Sequence, residues 1–386
     1  MQLNQRMMKT TNRNMRRGID SFMKNRKFLL SLSWAFLFFL PSILFAEEVP
    51  PLGADYVLTI GTAQGNPRNS EGSIVTLKNG DLLFVYTHFL GKRGDDHDTA
   101  RLDARRSTDG GKTWTQEDVT ILNSEGKLNI MSVSLLRLAS GEIAMFYLVK
   151  EHPGDCRPYM RISTDEGKTW SERTLCITEE SYNVVNNDRI IQLESGRLLM
   201  PVARHAYHGK NAYDYDRNAD TFCMYSDDNG KSWKKGKSVP RTKTVFQEPG
   251  LVVLANGKIL MNIRTGSGSQ YYSVSTDQGE TWSDAVPSCL DSPMSPAQIK
   301  RIPGSDKLLV VWNPLKPSKN RSGLDIAVLT PDASKILVRK YIEKTDKMSF
   351  QYPHILFDSQ NNVLVGYFTF GGNYRSVRFN RKQVDE

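Results

Sequence analysis

Apolar residues along most of this chain come as paired short runs, each pair joined by a polar step that ends on glycine. The phrase is complete at 73–86, where Ser73-Ile-Val-Thr-Leu leads through Lys78-Asn79-Gly80 to Leu82-Leu-Phe-Val-Tyr86. It returns at 134–147, 189–201 and 250–262, turning on Gly141, Gly196 and Gly257, and in weaker form at 299–312 and 355–367. Short runs rich in Val, Ile, Leu and aromatics, bounded by glycine turns, predict strands joined as hairpins. Six strand-turn-strand units follow from this pattern, and stretches of helical period are nearly absent.

A second repeat alternates with the first. Four segments read S-x-D-x-G-x-[TS]-W: 107–114, 163–170, 226–233 and 275–282. Their starts lie 56, 63 and 49 residues apart, about the length of one four-stranded sheet with its loops. Each predicts a hairpin turn. The Asp accepts hydrogen bonds from backbone N–H groups of its own turn, the Gly allows positive φ, and the Trp folds back over the hairpin. The fifth unit has a degenerate turn near Pro331-Asp332, and the strand near 56–60 is expected to pair with the final unit.

Composition changes this picture little, except at the N-terminus. The net charge of +9 is concentrated in residues 1–46, which hold eight basic side chains against Asp20, so the remainder carries only +2. Nothing in that balance points to nucleic acid. The basic stretch precedes an apolar run at 28–45 that closes on Leu44-Phe45-Ala46, which predicts an export signal, cleaved or retained as an anchor. The expected organisation is a signal segment at 1–46 and one domain at 47–386, secreted or periplasmic, with membrane contact only through an uncleaved signal. Of the four cysteines, Cys156 and Cys176 flank the second repeated turn. They either pair across the hairpin or stay as two buried thiols.

The four turns, together with Gln247-Glu248-Pro-Gly-Leu-Val-Val-Leu-Ala-Asn-Gly257-Lys-Ile-Leu-Met-Asn262-Ile-Arg264, resemble the sialidase (neuraminidase) superfamily. By these motifs the chain is identified as a BNR, or Asp-box, repeat protein similar to bacterial exo-α-sialidases. The resemblance implies an all-β fold, a six-bladed β-propeller with the Asp boxes on its outer rim. It also implies site roles. Glu248 is the base that assists a tyrosine nucleophile, Tyr352, and Arg264 and Arg321 grip a substrate carboxylate. The acid/base falls in the loop before the first box, as Asp96 ahead of Asp95 and Asp98. The first unit lacks the family's R-I-P opening and offers Arg68 instead, about two residues early. Arg189 is a further candidate substrate contact, and the stretch 207–216 is a candidate pocket wall.

A phenol near pKa 10 is a weak nucleophile at neutral pH, and an adjacent carboxylate can take its proton as it attacks. Guanidinium forks match a sugar carboxylate. The expected activity is retaining hydrolysis of a terminal anionic sugar, most simply sialic acid, from a glycan partner, without metal or organic cofactor. The missing R-I-P keeps open a sialidase-like hydrolase or lyase acting on uronate-containing polysaccharide, and a propeller that only binds glycan or protein.

Overall fold

The computed structural model describes residues 49–385, apart from 316–320 and 361; the expected signal segment lies outside the described residues. The chain is all-β, with one four-residue helix, α1 (Lys382–Asp385), among the described residues. After β1 (Asp55–Ile60), the first unit is β2 (Asn69–Thr76), β3 (Leu82–Phe89), β4 (Ala100–Ser107) and β5 (Val119–Leu122). The second is β6 (Asn129–Arg137), β7 (Ile143–His152), β8 (Asp155–Ser163) and β9 (Thr174–Leu175). The third holds the short β10 (Tyr182–Val184) and β11 (Ile191–Gln192), then β12 (Leu198–His205), β13 (Asp220–Ser226) and β14 (Lys234–Lys235). The fourth is β15 (Phe246–Val253), β16 (Ile259–Thr265), β17 (Ser269–Ser275) and β18 (Val286–Asp291). The fifth is β19 (Gln298–Arg301), β20 (Leu308–Trp312), β21 (Gly323–Leu329) and β22 (Ile336–Lys344). The last contains β23 (Phe350–Phe357), β24 (Asn362–Thr369) and β25 (Tyr374–Asn380).

Units one, four and five are separate antiparallel four-stranded sheets, and β1 completes the last unit by pairing with β25, Ile60 opposite Tyr374. Units two and three join into one nine-stranded sheet through a parallel contact of Tyr182 with Cys156. The middle strands are buried on both faces; all eight residues of β3 and of β24 are buried. That is why their sequences are near-continuous apolar runs. Their side chains form apolar layers between successive units. Leu83 and Val85 meet Met145 and Tyr147, Leu148 and Met160 meet Met200 and Phe222, and Leu199 meets Met261. Further layers join Leu260 to Val310 and Val311 to Val365. A sixth joins Leu364 and Tyr374 back to Phe84 and Trp114 of the first unit.

The four S-x-D-x-G-x-[TS]-W turns share one geometry. In the first, Asp109 Oδ1 accepts from the N–H groups of Lys112 (3.0 Å) and Thr113 (2.9 Å), and Oδ2 accepts from the Thr113 hydroxyl at 2.7 Å. Ser107 donates to Asp109 and accepts from Gly111 N–H, both at 2.9 Å. The glycine is required twice over. Gly111, Gly167, Gly230 and Gly279 all have positive φ, and a Cβ there would strike Leu364, Leu83, Met160 and Leu199 of an adjoining unit within 2.9 Å. Each turn therefore rests on its neighbour. All four cysteines are free thiols. The register sets Leu175 opposite Tyr159, so Cys176 is offset from Cys156.

Candidate active site

Ser107 pairs with Leu82 near the Gly80 turn, so the repeated S-x-D-x-G-x-[TS]-W turns and the polar cleft occupy opposite ends of the strands. At the cleft end the first strands carry a repeated irregularity. In β2, β6, β15 and β23 three residues face two on the partner strand, a one-residue bulge. Inside the bulges Glu71, Ser132, Glu248 and Tyr352 all take positive φ, between 39° and 61°. Positive φ is unusual for such residues and is held by surrounding structure. Here Gly72 lets β2 lie against Phe84, where a Cβ would come within 2.4 Å of the ring. All four bulge residues line one cleft of about 300 Å³.

Tyr352 donates its phenolic hydrogen to Glu248 Oε1 at 2.8 Å, and Arg264 Nη1 donates to the other oxygen of the same carboxylate. Burial, then the Glu248 charge, pushes the phenol well above its ordinary pKa, so it is neutral and hydrogen-bonded. Burial also works to raise Glu248, but Arg264, Arg321 and the Tyr352 hydroxyl outweigh it and hold the carboxyl below its usual range. The arrangement is a neutral phenol beside an ionised base. The Tyr352 ring stacks on Phe368 at 5.6 Å, and the Arg68 guanidinium covers Phe368 at 4.9 Å.

Of the three loop acids offered by the sequence, only Asp96 lines the cleft. Asp98 accepts from the N–H groups of Arg93 and Gly94, and Asp95 accepts from that of His97, so both close the loop. Asp96 accepts from Arg68 Nη1 at 2.7 Å. Desolvation would raise this carboxyl, but Arg68 and Lys150 draw it down to about 2. Arg321 donates to Gln351 Oε1 (2.9 Å) and Met294 O (2.6 Å), with its charge near Glu248 and Tyr352. Tyr215, from the stretch expected as a wall, lines the cleft beside Tyr182 and His205.

Arg189 requires a correction. Expected as a substrate contact, it is fully buried beneath the cleft and donates to the carbonyls of Asn187, Ala297 and Pro353. Its length and charge tie together backbone from three units. Arg68 reaches the cleft region, yet its hydrogen-bonding edges are occupied, as described below. The R-I-P tripeptide present at 301–303 ends β19 of the fifth unit and enters the turn at Gly304.

Among the cleft residues that escaped the sequence reading, two carry a buried carboxyl or ammonium group. Glu71 is buried, lies nine residues before Gly80 as Glu248 lies nine before Gly257, and could have been found by that offset. Lys150 is buried, donates to Asp96 O at 2.8 Å and sits over the Tyr182 ring. Its signal was a lone lysine closing the apolar run of β7.

A family model described as a BNR repeat-like domain matches residues 80–367. The chain belongs to this BNR-repeat family of the sialidase superfamily. Over 312 residues it is 26% identical to a sialidase of Bacteroides fragilis (strain YCH46), covering 69% of this chain. It spans 55%, about half, of that relative's length. Among solved structures it is similar to the Hadza microbial sialidase Hz136, with TM-score 0.67 and 19% identity over 83% of this chain and 67% of that one. A leech intramolecular trans-sialidase complexed with 2,7-anhydro-Neu5Ac gives TM-score 0.68 and 15% identity over 86% and 70%. At such identities the solved structures speak for the fold of this BNR-repeat protein.

Proposed function

We propose that this BNR-repeat protein is an exported exo-glycosidase of the sialidase type, which hydrolyses a terminal anionic sugar with retention of configuration. The observation that carries this reading is the Tyr352–Glu248 hydrogen bond at 2.8 Å, with Arg264 on the opposite carboxylate oxygen. Tyr352 attacks the anomeric carbon and its proton passes to Glu248, while Asp96 protonates the departing oxygen. An incoming sugar excludes water from the half-buried Asp96 and so raises it toward protonation. Water then opens the glycosyl-tyrosine, with Asp96 as base. The tyrosine makes this an exception to the two-carboxylate scheme, and a neutral nucleophile avoids repelling an anionic sugar. Arg264 and Arg321 receive the sugar's acidic group.

The architecture in this reading is a six-bladed β-propeller, with the six units as blades around the cleft. The apolar layers that link each unit to the next, and the last to the first, support it. Export rests on the basic-then-apolar pattern of residues 1–46. Sialic acid is the substrate suggested by relatives named sialidases. A second reading, a related hydrolase or lyase on uronate-containing polysaccharide, is favoured by the engagement of Arg68 with Glu71 and Asp96. Fluorogenic sialosides and uronides, offered to the wild type, Glu248→Gln and Tyr352→Phe, test both. Turnover of a sialoside lost in both variants supports the first reading. Turnover of the uronide alone favours the second. Unimpaired turnover in the variants rejects the mechanism for either substrate.

A further inference from the structure

Arg68 has little left to offer a ligand. Nε donates to Ser70 Oγ (2.9 Å), Nη1 to Gly94 O (3.3 Å) and Asp96 Oδ1 (2.7 Å), and Nη2 to Glu71 Oε2 (3.0 Å). The rings of Phe89 and Phe368 lie over the guanidinium at 4.5 and 4.9 Å. A bidentate grip on a carboxylate needs two parallel N–H groups on one free edge, and these edges already hold carboxylates. Arg264, by contrast, leaves Nε without a protein partner, and Arg321 bonds two neutral acceptors.

On the Arg68 side the cleft presents Glu71. The residue is 4% exposed, sits on the same kind of bulge as Glu248 and Tyr352, and uses Oε2 for both Arg68 and Ser70. Besides Glu71, the charged and titratable groups lining the cleft are Asp96, Lys150, Cys156, Tyr182, His205, Tyr215, Arg217, Glu248, Arg264 and Tyr352, and Arg68 bonds Glu71 directly. A ligand carboxylate brought here would join three acidic side chains. A hydroxyl would instead find an acceptor.

We propose that Glu71 determines specificity in this cleft: the fitting sugar sets its acidic group on Arg264 and Arg321 and turns a hydroxyl, not a carboxylate, toward Glu71. The identity of the ligand as a sugar rests on the glycosidase reading. The charge argument does not. Burial pushes Glu71 up, Arg68 pulls it down, and Asp96 pushes it up again, to about 7. Glu71 therefore gains its negative charge as pH rises through neutrality, and an anionic ligand is then bound less well.

The test uses full-length Tyr352→Phe protein and calorimetric titration with N-acetylneuraminic acid and with glucuronic acid at pH 6 and 8. With Glu71 present, affinity for the better ligand is expected to fall roughly fivefold to tenfold between these pH values. With Glu71→Gln added, the fall shrinks below about twofold, and Glu71→Ala weakens binding at pH 6 by about tenfold through loss of the hydroxyl acceptor. Equal pH slopes with and without Glu71, or no binding of either acid at millimolar concentration, overturn the proposal. The predicted slope in the Tyr352→Phe protein, together with a wild type that turns over no glycoside, contradicts the catalytic reading and leaves the role of Glu71 standing.

Discussion

The two ends of the same strands solve the problem of placing charge in opposite ways. At the turn end, each aspartate is satisfied by neutral donors a few residues away, as Asp109 is by Ser107, Lys112 and Thr113, and the arrangement is repeated four times. At the cleft end, one backbone bulge is repeated four times but its side chain varies, with Glu71 and Glu248 in two copies, Ser132 in a third and Tyr352 in the fourth. There polar and charged groups are satisfied by one another, some across long sequence separations, 104 residues for Tyr352 and Glu248 and 28 for Arg68 and Asp96. Repetition of side chains builds the fold, and substitution within a repeated backbone feature builds the chemistry.

Four changes probe that division. The largest effect is expected at the cleft. Tyr352→Phe and Glu248→Gln each lower turnover of an accepted substrate by about a thousandfold or more, with melting temperatures close to the wild type; a comparable loss of stability would blur the contrast. Next, Trp282→Ala at the turn end empties a buried site and lowers unfolding free energy by about 3 kcal/mol, read by denaturant titration, while KM stays unchanged. A smaller change follows from Asp277→Ala, which leaves the Thr281 N–H and hydroxyl without their acceptor, at about 1–2 kcal/mol. A shift in KM with either turn variant would show the two ends to be coupled.

The subtlest test is acid unfolding. The Ser232 hydroxyl and N–H hold Asp228 down at about 2. A carboxyl depressed in the folded state stabilises above its unfolded pKa, near 3.9, and that contribution is lost as pH falls through the folded value. Asp228→Asn should therefore lower the melting temperature at pH 6 and flatten its decline between pH 4 and 2. An unchanged acid limb would contradict the assignment.

The turn end was almost wholly legible in the sequence, because its physics is local: Ser, Asp, Gly and Trp act within eight residues. The strand pairs were legible for the same reason, since Gly80, Gly141 and Gly257 close turns between apolar runs. Tyr352 and Glu248, proposed through family resemblance, meet in space, but only the folded chain brings them into one hydrogen bond. Arg189 was misread because charge suggests a ligand contact, whereas its guanidinium serves buried carbonyls from 187, 297 and 353. Lys150 was missed because it sits in no motif, and Glu71 because the strand-turn-strand repeat was read for its strands and not for the residue nine before the glycine. Each gains its importance from neighbours such as Asp96 that the sequence sets far away.

The account's central claim is that Tyr352 becomes covalently attached to the sugar while Glu248 takes its proton. Rapid acid quenching of the protein during turnover of an accepted glycoside, followed by peptide mass mapping, tests this directly. The expected result is one glycosyl unit on the peptide containing Tyr352, absent in Tyr352→Phe and strongly reduced in Glu248→Gln. Sustained turnover by Tyr352→Phe, or an adduct on another residue, would contradict it.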